Sequence, residues 1–87
     1  MNIYIGNIPT DLEEDEITEM FEEYGSVKST KIIKDRYTKQ SRGFGFVVME
    51  NNEAAKQAIE DWDQGSIDDQ IIKVREAKSL HKNRIKN

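Results

Sequence analysis

Apolar residues recur along this chain with two different periods, and the switches between them outline its elements. Residues 2–8, Asn-Ile-Tyr-Ile-Gly-Asn-Ile, alternate Ile3 and Ile5 with Tyr4 and Gly6. That alternation predicts a strand, which Pro9-Thr10-Asp11 ends. From Glu14 to Tyr24 the spacing changes: Ile17, Met20, Phe21 and Tyr24 fall at i, i+3, i+4 and i+7, the period of a helix. Leu12, five positions before Ile17, suits a hydrophobic staple with Glu13 as N-cap. Gly25 is expected at the C′ position, and the acids of the first turns face the positive end of the helix dipole. Residues 27–34 read as a second strand, 35–41 as a polar loop and 43–49 as a third strand. Asn51 or Asn52 caps a second helix running to about Trp62, with Ala55, Ala58, Ile59 and Trp62 along one face. Residues 63–69 form a loop with a short extended piece near Ile67, and 71–76 the last strand.

The order strand–helix–strand–strand–helix–strand is the split βαβ, ferredoxin-like arrangement of the α+β class. It implies a four-stranded antiparallel sheet with two helices on one face and the other face open. The 87 residues suffice for one small domain, expected over residues 1–78, followed by a basic, flexible tail over 79–87.

Composition narrows the chemistry. The chain has no Cys and a single His, His81, so thiolate and His-pair metal sites are excluded. No nucleophile–base pair stands out, so the chain is not expected to be an enzyme or to use a metal, an organic cofactor or a small-molecule substrate. Nothing in it resembles a secretory leader or a membrane span, which leads to the expectation of a cytoplasmic protein. The formal charge is −4, from 13 Lys+Arg against 17 Asp+Glu. Taken as an average, that points away from nucleic acid.

The distribution reverses the inference. Residues 1–24 carry Asp11, Glu13, Glu14, Asp15, Glu16, Glu19, Glu22 and Glu23 and no base. Residues 27–45 carry Lys28, Lys31, Lys34, Arg36, Lys39 and Arg42 against Asp35 alone, and residues 73–87 are again basic. The acids gather on and beside the helices, the bases on the strands, their loop and the tail. Within the strands, alternation turns Phe44 and Phe46 one way and Gly45, Val47 and Met49 the other. The second set supplies the core, where Gly45 is expected to let a helix approach. With Ile72 and Val74 as core, alternation also turns Lys73 and Arg75 to the side of the rings.

Arg42-Gly43-Phe44-Gly45-Phe46-Val47-Val48-Met49 matches seven of eight positions of the RNA-recognition-motif octamer. Ile3-Tyr4-Ile5-Gly6-Asn7-Ile8 resembles the companion hexamer of that family, and the resemblance runs from residue 2 to about 77. The one departure, Met49 for an aromatic, falls on the core side. The resemblance implies that the strands bearing Tyr4 and the two Phe residues are adjacent. It further implies that Tyr4 and Phe46 each stack a base, that Phe44 lies against the riboses between them and that Arg42 pairs with a phosphate. The strand exit Arg75-Glu76-Ala77-Lys78 would touch base edges. The expected interface is therefore Tyr4, Lys31, Arg42, Phe44, Phe46, Lys73, Arg75, Glu76 and Lys78. The expected partner is single-stranded RNA, bound by a monomer that acts as an RNA chaperone or post-transcriptional regulator. Single-stranded DNA is the alternative ligand, since stacking is indifferent to the sugar. A protein-binding module on the same scaffold is the other.

Overall fold

Alternation of apolar residues on four strands and an apolar stripe on two helices leave one economical arrangement, a sheet covered on one side. The computed structural model describes residues 1–77; Lys78 and the expected tail lie outside the described residues. The elements are β1 (Asn2–Gly6), α1 (Glu14–Glu22), β2 (Val27–Lys34), β3 (Ser41–Met49), α2 (Asn52–Trp62), β4 (Ser66–Ile67), β5 (Gln70–Ile71) and β6 (Lys73–Glu76). Strands β2-β3-β1-β6 form the main antiparallel sheet in that order, and β4 and β5 pair separately as a small hairpin. The expected βαββαβ order is present, with the hairpin inserted before the last strand.

The core lies between sheet and helices. Ile3 and Ile5 of β1, Ile32 of β2, Val47 and Met49 of β3 and Val74 of β6 meet Ile17 and Phe21 of α1 and Ala55 and Ala58 of α2. Each is at most 2% exposed, and among the described residues no polar or charged side chain is buried with them. Leu12 and Trp62 pack against this cluster from its margins.

Helix ends follow local chemistry. The Glu13 N–H donates to Oε1 of Glu16 at 2.8 Å, one arm of a capping box. Asn51 is the cap of α2, its Oδ1 accepting from the Ala54 N–H at 2.8 Å. Gly25 does not occupy C′ of α1, because the helix closes earlier, through the Tyr24 N–H to the Phe21 carbonyl at 3.0 Å. Its lack of a side chain answers a packing need instead: a Cβ there would come within 2.9 Å of the Ala54 Cβ. Gly45 likewise makes room for a strand rather than a helix. A Cβ on it would collide with the Lys31 carbonyl and stand 3.0 Å from Cα of Ile32, in the backbone of β2.

Three non-glycine residues around the hairpin adopt left-handed backbone: Gln64 at φ 69°, Asp68 at 49° and Asp69 at 72°. Asp tolerates this region better than most residues because its short side chain bonds locally. Gln64 follows the C-cap of α2, where glycine is the usual occupant. Replacing Gln64 with Gly is therefore expected to stabilise the domain by about 1 kcal/mol, read as a higher urea midpoint at unchanged slope.

Both outer strands are engaged by carboxylates from the helical side. Glu14 Oε2 accepts from the Ile32 N–H of β2 at 2.9 Å, and Asp63 Oδ1 accepts from the Val74 N–H of β6 at 2.9 Å. Such contacts occupy ladder positions that another strand would otherwise pair with. At one end of the sheet the chain enters and leaves side by side: Ile3 is opposite Glu76, and the Ala77 N–H donates to the Asn2 carbonyl at 2.8 Å.

Candidate nucleic-acid interface

Residues directly opposite one another in a sheet point to the same face, so the register alone assembles the open surface. Lys31 pairs with Phe46, Phe46 with Tyr4 and Tyr4 with Arg75, a row that crosses all four strands. A second row, Phe44–Gly6–Lys73, lies next to it. Ring centroids are 6.1 Å apart for Tyr4–Phe44, 5.9 Å for Tyr4–Phe46 and 6.2 Å for Phe44–Phe46. The three rings thus form a nearly equilateral cluster on the side away from the helices, and all three are half-buried.

Gly6 shapes this cluster, a role that alternation along the strand does not disclose. The phenol end of Tyr4 occupies the place of a Gly6 side chain: a Cβ there would stand 2.7 Å from Cζ and collide with the hydroxyl. Tyr4 can therefore lean along its own strand and keep a ring face available. The signal that could have found it is a glycine two positions after an aromatic in the same strand.

Cations frame the rings. Lys31 and Arg75 stand at opposite ends of the first row and Lys73 at the end of the second, all exposed. Gly43, at φ 86°, lies in the irregular stretch where the β2–β3 register jumps from Ile32↔Gly45 to Lys34↔Ser41. Arg42 precedes it, exposed, and shares a hollow with Phe44, Tyr4 and Lys73. Asp35 orders the adjoining loop, its Oδ1 accepting from the Tyr37 N–H at 2.8 Å and the Thr38 N–H at 3.0 Å. The N–H groups of Thr38 and Tyr37 hold its carboxyl below the usual range, and the charge of Arg42 adds to the effect. The acids Glu13, Asp15, Glu16, Glu19, Glu22 and Glu23 are exposed on and beside α1, away from the rings. The net negative charge and a positive sheet face thus coexist on separate sides.

Of the expected site residues, Glu76 has its side chain outside this group. Glu76 is opposite Ile3, a core residue, so its side chain belongs to the helix-facing side at the strand end. Lys78 lies outside the described residues, as do His81 and the bases Lys82, Arg84 and Lys86. Tyr37 is 84% exposed in the β2–β3 loop, with the Arg36 guanidinium carbon 5.8 Å from its ring centroid. Among the described residues no group of three or more His, Cys, Asp or Glu is placed to hold a metal ion. No helix there is long and apolar enough to cross a membrane.

Comparison with known proteins gives consistent results. Residues 3–73 match the family described as the RNA recognition motif. The chain is 40% identical over 78 residues to a protein of Nostoc sp. named as RNA-binding protein RbpE, covering 90% of this chain and 79% of that one. It is 39% identical over 75 residues to a chloroplast 28 kDa ribonucleoprotein of Nicotiana sylvestris. That match takes in 86% of this chain but spans only 27% of the ribonucleoprotein's length. Among solved structures, the RNA-binding protein PG1 superposes with a TM-score of 0.88 at 40% identity, covering 91% of this chain and 95% of that one.

Proposed function

The chain belongs to the RNA recognition motif family, and from this we infer that it binds single-stranded RNA on the open face of its sheet. The observation that carries the reading is the row Lys31–Phe46–Tyr4–Arg75: two rings at its centre and a cation at each end, set by strand register. Unpaired bases stack on Tyr4 and Phe46, each stack contributing about 1–3 kcal/mol. Phe44, next to both rings, lies against the riboses that join the two bases. Arg42 meets a phosphate with its planar fork, and Lys31, Lys73 and Arg75 add longer-range attraction. A single module of this size holds about two to four nucleotides, with affinity of micromolar order at physiological salt. In this reading the protein is a binding module and not a catalyst. It works as a monomer and acts on transcripts in the cytoplasm as a chaperone or regulator; the carboxylates of Glu14 and Asp63, each on one N–H of an outer strand, are in keeping with that.

Titration of the labelled protein with short single-stranded RNA, followed by NMR, tests the reading. Resonances of Tyr4, Phe44 and Phe46 should move first and furthest; movement confined to α1 and α2 would reject it in favour of a protein-binding role. Running single-stranded DNA alongside measures how far the ribose contributes. Exchanging Lys31 or Arg42 for Ala should reduce the slope of log affinity against log salt by about 0.7 for each phosphate that the variant no longer neutralises. An unaltered slope would remove that residue from the backbone-binding set.

A further inference from the structure

Gly6 is an anomaly on the open face. It pairs with Phe44 on one side and Lys73 on the other, in the row that faces away from the helices. Phe44 is half-buried and Lys73 exposed, yet Gly6 between them is buried. What covers it is the ring of Tyr4. The three atoms nearest to a Cβ placed on Gly6 all belong to the far end of that ring: Cε2 at 2.8 Å, Cζ at 2.7 Å and the hydroxyl closer still.

Side chains in a strand stand roughly upright and lean along it. Tyr4 leans far enough to lie over the position two residues ahead. The ring distances record the result. Phe46 is the direct partner of Tyr4, and Phe44 is the partner of Gly6. The Tyr4 centroid is nevertheless 5.9 Å from Phe46 and 6.1 Å from Phe44, so the ring sits midway between the two rows.

Glycine is unfavourable inside a strand, where it packs nothing and loses more conformational freedom on folding than any other residue. The backbone at position 6 does not require it, since Gly43 is the glycine of this chain with positive φ. Nor is another strand in the way, as it is at Gly45, where an added Cβ would collide with the backbone of β2. The nearest obstacles at Gly6 are the tip of a side chain that can swing aside. Stability therefore gives no reason for glycine here, whereas the placement of Tyr4 does.

Building on the RNA-binding reading, we propose that Gly6 is a positioning residue of the interface, setting RNA affinity through Tyr4. A side chain at position 6 drives the Tyr4 ring away from Phe44, opens the cluster and misplaces the surface on which a base stacks. The missing methyl group weakens β1 and strengthens the site.

The test is a double-mutant cycle with short single-stranded RNA, using the wild type, Gly6→Ala, Tyr4→Ala and the double variant, each also followed by thermal melting. Gly6→Ala should weaken binding roughly three- to tenfold, a part of one stack. Its melting temperature should be level with the wild type or a few degrees higher. Through-space NMR contacts between the Tyr4 and Phe44 rings should weaken in the free variant. With Tyr4 already replaced by alanine, adding Gly6→Ala should change affinity by less than about twofold, because no ring remains to be displaced. Equal losses from Gly6→Ala in both backgrounds would overturn the proposal, since the residue would then act without Tyr4. A melting temperature that falls far enough to explain the weaker binding would overturn it as well, in favour of a purely structural role. Absence of RNA binding by the wild type would remove the RNA-binding reading and this proposal together, whereas wild-type affinity in Gly6→Ala removes the proposal alone.

Discussion

Replacing Tyr4 and Phe46 together with alanine is expected to remove most of the affinity for single-stranded RNA, two stacks of about 1–3 kcal/mol each. Starting from micromolar binding, a combined loss of about 2–6 kcal/mol moves the dissociation constant to between tens of micromolar and the millimolar range or beyond. The two effects need not add, because the rings are only 5.9 Å apart. Phe46→Ala alone should lie within the single-stack range. Stability should change little by comparison. The rings sit on the face opposite the core, and the cross-strand pair they form contributes roughly 0.2–1 kcal/mol. Calorimetric titration paired with thermal melting separates the two quantities. Full affinity in the double variant would show that bases bind elsewhere.

Phe21→Ala should show the converse, a large loss of stability with the binding surface chemically intact. Phe21 is a fully buried side chain of α1, at the centre of the layer that supports the sheet. Truncating a buried Phe typically costs about 3–5 kcal/mol through lost transfer energy and the cavity left behind. At roughly 0.05–0.15 kcal/mol per residue, a chain of this length has about 4–13 kcal/mol in all. The variant is therefore expected to be partly unfolded at moderate temperature, with a urea midpoint far below that of the wild type. The fraction that remains folded should bind RNA with wild-type affinity, because no residue of the open face has changed. A shift of less than about 1 kcal/mol would mean that the core closes around the cavity.

Much of the architecture was legible because it depends on local period. Ile3 and Ile5 against Tyr4, and Val47 and Met49 against Phe44 and Phe46, declare two faces without any knowledge of their neighbours. The helical stripe of Ile17, Met20, Phe21 and Tyr24 does the same for α1. What escaped depends on partners distant in the chain. Gly45 is flattened by the backbone of β2 and Gly25 by Ala54 of α2, and neither neighbour is specified by the residues beside the glycine. The hollow beside Phe44 is lined by Asn7 and Gln70, which meet from 63 positions apart. The last strand starts at Lys73 and not at residue 71 because Ile71 pairs with Ser66 in the hairpin. Glu76 is a different case. Alternation from the buried Val74 already turns its side chain to the helix side, and its place among the expected contacts came from the resemblance.

The pairing of Asn2 with Ala77 has a consequence for connected systems. Asn2 and Ala77 lie side by side at one end of the sheet that carries the proposed binding face. A second recognition unit attached at either end would start from beside this platform, at a reach set by the length of the connecting segment. Its own encounter with the same transcript then becomes intramolecular, governed by linker length instead of bulk concentration. Two weak units joined in this way can hold a transcript far more tightly than either alone, and shortening or lengthening the connection tunes that gain without altering any contact.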